Sequence, residues 1–217
     1  MDKDKKPNPM QTRKDREFRQ FTSFHLRAAD PVEENGATEL YIEGVAATFN
    51  SPTVLFEYDG IEYKEQIDRM AFEGADMSDV IFNYNHSGKV MARTRNKTLQ
   101  VWVENDGLHI RARLDGTEEG RKLYEEVKGG YIDRMSFAFT IKESSYNLDE
   151  HMRTVLKVKK LYDVSAVDIP AYDTTSLSAR SSFEEELEKE HKAAAAAELR
   201  KRVLQTQVKI TNSIYGG

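Results

Sequence analysis

YIDRMSFAFTIKE, residues 131–143, is the stretch whose reading decides the fold. Met135, Phe137 and Phe139 alternate with Ser136, Ala138 and Thr140, the period of a β-strand. The large residues can fill a core, while the small ones leave room beside a hydroxyl. Arg153–Val167 (RTVLKVKKLYDVSAV) reads as a second strand, paired across a loop that carries Tyr146–His151. Working outward, strand-like runs recur at Thr22–Ala28, Thr38–Phe49, Val54–Tyr58, Ile61–Ile67, Val80–Asn85, Thr98–Glu104 and Leu108–Leu114. Asp59-Gly60 and Asn105-Asp106-Gly107 are hairpin turns by composition. Asp68–Gly74 reads as a short helical turn. One internal helix is expected after Thr117, which can cap it, with Glu118 and Glu119 at its positive end and Gly129-Gly130 as its stop. Leu123, Tyr124 and Val127 form its buried stripe. Short strands at regular spacing predict a mainly β fold with flanking helices (α+β), as a barrel or sandwich.

The ends differ from this body. Residues 1–20 are polar, charged and interrupted by Pro7 and Pro9, and are expected to form a disordered arm. Residues 21–173 form the β domain. Residues 174–217 read as a Ser/Thr-rich linker followed by a Glu/Ala/Lys-rich helical tail over Phe183–Gln205, acidic first and basic last. The chain of 217 residues carries a net charge of -5, with +3 on residues 1–20 and zero on residues 184–209. An acidic body argues against nucleic acid as the main ligand. The absence of cysteine excludes a disulfide scaffold, thiolate catalysis and cysteine-ligated zinc. No signal peptide or membrane-spanning run is evident, which predicts a reducing, soluble compartment.

Three polar residues stand out. Ser136 is a lone hydroxyl on an apolar strand. His86 ends a strand before the loop Ser87-Gly88, where a side chain can reach into a cleft. Asp163 lies among Leu161, Tyr162, Val164 and Val167, and a buried carboxylate there needs a donor. A hydroxyl, an imidazole and a carboxylate that converge make an activated nucleophile. Each also has a plain reading: a structural serine, a surface histidine, a carboxylate paired with a neighbouring Lys or Arg. Asp168 is the alternative carboxylate, on the opposite strand face from Asp163. His25, His109, His151 and His191 are poorer bases by context. No histidine pair has metal-ligand spacing, so neither metal nor cofactor is expected.

The order NYNHS, GGYIDRMSFAF and LYDVSAVDIPAY, with GVAATFN and GLHIRARL upstream, resembles the head-maturation (prohead) proteases of tailed bacteriophages over residues 38–180. The resemblance implies a serine endopeptidase with a herpesvirus-protease-like β-barrel. It implies His86 as general base, Ser136 as nucleophile and Asp163 as the residue orienting the imidazole. Ala138 replaces the glycine common in the serine motif. The herpesvirus relatives use a second histidine and an arginine-bearing loop, where this chain has Asp163 and Pro170-Ala171-Tyr172. Ala171 and Tyr172 are therefore the expected oxyanion and substrate loop. The implied partners are the major capsid protein and its scaffold segment inside an assembling procapsid in the host cytoplasm, with a homo-oligomer possible in principle and no membrane or specific nucleic acid. Cleavage of the chain's own ends is expected within residues 1–20 or 174–182. The alternative is a non-catalytic capsid assembly or scaffolding protein with a β-barrel interaction module.

Overall fold

The computed structural model describes residues 16–19, 25–34, 36–168 and 183–215. The chain divides into Met1–Ala179 and Arg180–Gly217. The first unit carries β1 (Glu17–Arg19), β2 (Leu26–Ala28), β3 (Val32–Glu34), β4 (Ala37–Glu39), β5 (Tyr41–Thr48), β6 (Thr53–Tyr58) and β7 (Ile61–Ile67). It continues with β8 (Ile81–Tyr84), β9 (Ser87–Arg93), β10 (Leu99–Val103), β11 (Gly107–Arg113), α1 (Glu118–Lys128), β12 (Arg134–Asn147) and β13 (Met152–Val167).

A seven-stranded sheet runs β1-β12-β13-β7-β6, with β8 on β13 and β9 on β8. A four-stranded sheet runs β10-β11-β5-β2, and β3 and β4 form a separate hairpin. No closed barrel forms among the described strands, so the expected herpesvirus-protease-like barrel is replaced by two open sheets. Closure depends on pairing between strands far apart in sequence, which alternation within one strand does not encode.

β13 organises the large sheet. It is antiparallel to β12 along its length, and it pairs in parallel with β7 through Met152–Val155 and with β8 through Asp163–Ala166. One core joins the two sheets and α1. Phe82, Met135, Phe137, Phe139, Leu161 and Val164 meet Ile42, Leu108, Ile110 and the helix residues Leu123, Tyr124 and Val127. Thr117 caps α1 by accepting from the Gly120 N–H at 2.9 Å. Asp59 and Gly60 both take positive φ, +53° and +76°, as the tight turn between β6 and β7 requires.

Three local expectations are corrected. Glu17–Arg19, read as part of a disordered arm, form edge strand β1. Ser87 and Gly88, read as a loop, begin β9. The run Thr38–Phe49 divides into β4 and β5. Residues 1–15, 20–24 and 169–182, which hold most of the arm and the expected linker, lie outside the described residues. In the second unit, α2 spans Glu184–Tyr215, with Lys192–Glu188 and Arg202–Glu198 pairs one turn apart. No helix among the described residues is long and apolar enough to cross a membrane.

Gly107 opens β11 where it crosses β5 closely. A Cβ there would lie 2.2 Å from the Ala47 carbonyl oxygen, which is backbone and cannot swing aside. Gly107→Ala is expected to cost about 1–3 kcal/mol through overpacking. Thermal denaturation followed by circular dichroism checks it, and an unchanged melting temperature refutes the close-approach argument.

Candidate active site

Strand register builds the site. Ser136 on β12 pairs with Ser165 on β13, which pairs with Asn83 on β8. One row away, Ala138 pairs with Asp163, which pairs with Ile81. Side chains of directly paired residues share a sheet face, so Ser136, Asp163, Ser165 and Asn83 all project to one side. The large residues of β12 point the other way, into the core. Ser136 is only 4% exposed, so its face of β12 is covered as well.

His86 reaches that face from a two-residue turn. Asn85 and His86 join β8 to β9 with φ of 49° and 54°, and Tyr84 pairs with Ser87 across the turn. Asn and His tolerate this left-handed region better than most residues. Asp168 holds the turn from below, accepting from the Tyr84 hydroxyl at 2.8 Å and from Asn85 Nδ2 at 3.1 Å. That hydrogen bond raises the Tyr84 pKa above its ordinary value. Asp168, the alternative carboxylate, is thereby bound to the hairpin on its own side.

The structure brings His86, Ser136 and Asp163 together. His86 Nε2 lies 2.6 Å from Ser136 Oγ, and His86 Nδ1 lies 2.6 Å from Asp163 Oδ1. An imidazole that donates from Nδ1 to the carboxylate leaves Nε2 free to accept the hydroxyl proton. Asp163 is buried, and its charge is met by two donors, because Ser165 Oγ lies 2.9 Å from Asp163 Oδ1. Ser165 also sits 3.1 Å from His86 Nδ1 and contacts the Asn83 side-chain oxygen. Sequence reasoning missed Ser165, although its position two residues after Asp163 placed it on the same strand face. The arrangement can lend a serine hydroxyl nucleophilic character near neutral pH.

Ala171 and Tyr172 fall outside the described residues. His109 Nε2 is 2.8 Å from Asp106 Oδ1 at the turn between β10 and β11, where Glu104 also approaches. The His151 ring packs against Tyr63.

β1 lies along β12 beside Ser136. Glu17 pairs with Phe139, Phe18 with Ala138 and Arg19 with Phe137. The Arg19 carbonyl oxygen is 3.0 Å from Ser136 Oγ, and the Phe18 ring meets the His86 ring edge-on, with centroids 4.8 Å apart. The Arg19 side chain is fully buried. Its Nε is 2.5 Å from Glu65 Oε1, and its Nη2 is 3.2 Å from Glu65 Oε2. Arg153 Nε and Nη2 bind Glu65 Oε2 at 2.8 and 2.5 Å. Glu17 closes the ring, contacting Arg19 and lying 3.0 Å from Arg153 Nη2. Burial by itself would push the Glu65 carboxyl up, but the two guanidiniums outweigh it and hold the group below the usual carboxylate range. Burial likewise opposes the Arg19 charge, and Glu65 and Glu17 restore it.

Residues 23–190 match the family described as caudovirus prohead serine protease. Among solved structures, the bacteriophage T4 capsid assembly protease, gp21, is similar, with 18% identity and a TM-score of 0.48 over 71% of this chain and 99% of that one. No curated protein matches the chain.

A depressed carboxyl stabilises the folded state while it is ionised, so the Glu65 contribution is complete above the free glutamate value of about 4.3. It fades as pH falls below that value and through the lower folded pKa. Glu65→Gln should cost about 3–5 kcal/mol at neutral pH, by stranding buried guanidiniums. The same change should shrink the loss of stability between neutral pH and acid. Melting curves across that range check both, and a variant with the same acid limb as the parent refutes the assignment.

Proposed function

Since the chain belongs to the caudovirus prohead serine protease family, we propose that it is an endopeptidase whose reacting groups are Ser136, His86 and Asp163 and whose substrates are capsid-protein and scaffold segments in an assembling procapsid. The observation that supports the residue assignment is the pair of 2.6 Å contacts made by the two nitrogens of one imidazole, to a hydroxyl on one side and a carboxylate on the other.

In this reading His86 Nε2 takes the proton as Ser136 Oγ bonds to the peptide carbonyl carbon. The same proton then goes to the departing amine. Asp163 keeps the imidazole in the Nδ1–H tautomer and stabilises it once it is charged. Ser165, donating to Asp163, fixes the carboxylate's orientation. Asp168, bonded to Tyr84 and Asn85, serves as a prop for the turn that carries His86. These roles follow from chemistry that any site of this geometry shares.

Ser136→Ala is expected to lower turnover by about 10⁴–10⁶ with the fold preserved. Asp163→Asn should cost less than Ser136→Ala, because it disturbs tautomer and charge but leaves the nucleophile in place. Cleavage of a capsid-scaffold fusion, followed by gel and mass spectrometry, measures both. Labelling by a fluorophosphonate probe separates this reading from a purely scaffolding one. Ser136 should carry the adduct in the parent and lose it in His86→Ala, whereas an unlabelled parent chain would sink the proposal.

A further inference from the structure

The three reacting groups do not account for β1. An edge strand that merely closed a sheet would have no reason to place a carbonyl oxygen against the Ser136 hydroxyl and an aromatic ring against His86. β1 does both, and in an order that suits a substrate. The carbonyl oxygen that accepts from Ser136 Oγ at 3.0 Å belongs to Arg19, so the peptide carbonyl nearest the hydroxyl is the one joined to Gln20. The preceding residue, Phe18, packs on His86. Arg19 and Glu17, two apart on one strand, share the opposite face and enter the pocket that holds Glu65 and Arg153.

We propose that β1 lies in the acyl-side substrate groove as a substrate would, and that Glu65 and Arg153 are the specificity residues of that groove. The preferred substrate is an extended segment with arginine at the reacting carbonyl and glutamate two residues before it. The chain's own Arg19–Gln20 bond is one such substrate. This inference rests on the peptidase reading above and adds to it the sequence that the site selects.

The charge pattern carries the argument. Without β1, Glu65 and Arg153 still bind each other, so an open groove holds no bare buried charge. An arriving Glu-x-Arg strand adds one more charge of each sign, and the four groups close into a ring of alternating charge. An arginine without the glutamate would set two guanidiniums on one carboxylate. A glutamate without the arginine would set two carboxylates around one guanidinium. Either mismatch buries an unbalanced charge, which is costly. Lysine at the arginine position cannot reproduce the fork in which Nε and Nη2 address both Glu65 oxygens.

The reaction at this bond balances. Ser136 Oγ bonds to the Arg19 carbonyl carbon while His86 takes the hydroxyl proton. The bond to the Gln20 nitrogen breaks, and that nitrogen leaves as an amine with the proton. Water, deprotonated by His86, then releases Arg19 as a carboxylate and restores the serine.

The test uses the full chain, its Ser136→Ala variant and a synthetic peptide of residues 11–26. Intact-mass analysis of the incubated parent should show a new species beginning at Gln20, together with the Met1–Arg19 fragment, and neither should appear in Ser136→Ala. The peptide should be cut at the same bond. Arg19→Ala, Arg19→Lys and Glu17→Ala peptides should each lose about 100-fold or more in kcat/KM, as expected where a site's buried polar groups go unmatched. Because the substitutions sit in the peptide, folding of the enzyme is not at issue. If a fluorophosphonate labels Ser136 but the Arg19–Gln20 bond stays intact in chain and peptide, or if the altered peptides are cut as fast as the parent, this inference is overturned and the peptidase reading stands. If Ser136 is not labelled, both fall.

Discussion

β13 pairs with β12 on one side and with β8 on the other, and the distances in the site follow from that double pairing. Its antiparallel register with β12 sets Ser165 beside Ser136 and Asp163 beside Ala138. Its parallel register with β8 delivers the following turn, and with it His86, over the same sheet face. A shift of one residue in either ladder would turn Asp163 or Ser136 toward the core, because side chains alternate faces. The core is therefore part of the chemistry. Phe137, Phe139, Leu161 and Val164 are all buried on the far side, and their burial makes a slipped register expensive.

Within that frame the proton inventory is tight. Ser136 has one hydroxyl proton and two acceptors in reach, His86 Nε2 at 2.6 Å and the Arg19 carbonyl at 3.0 Å. The shorter contact goes to the imidazole, and that is the direction in which a base must pull. On the other side of the ring, Nδ1 lies between the Asp163 carboxylate and the Ser165 hydroxyl. A carboxylate with 4% exposure would be costly if unpaired, so the imidazole N–H and the Ser165 hydroxyl solvate it as water no longer can.

Much of this was legible in the chain. Period-two alternation located β12 and β13 and assigned Ser136 and Asp163 to strands, and Asp59-Gly60 announced its turn because glycine marks a left-handed position. Asn85-His86 makes an equally tight turn but lacks the glycine, so the strand reading runs one residue past the end of β8 and takes Ser87-Gly88, the start of β9, for a loop. β1 was illegible for a different reason. Glu17, Phe18 and Arg19 sit in a polar, charged stretch with no apolar periodicity. Their order comes from Glu65, 46 residues beyond Arg19, and from Arg153, still farther along the chain. Local composition cannot report a partner that only the fold brings near.

The same long-range pairing explains why a strand of such composition stays ordered. The edge of β12 carries backbone donors and acceptors that must be met by some chain. Three residues of β1 meet them, but so short a ladder gains little against the entropy of ordering the segment. The buried ring of Arg19, Glu65, Arg153 and Glu17 supplies what backbone pairing lacks, and it does so only for a strand with both charges in the right spacing. The groove that β1 fills is thus the edge of the strand that carries Ser136. A substrate bound as proposed would use that edge and compete with β1 on the terms of those four charges.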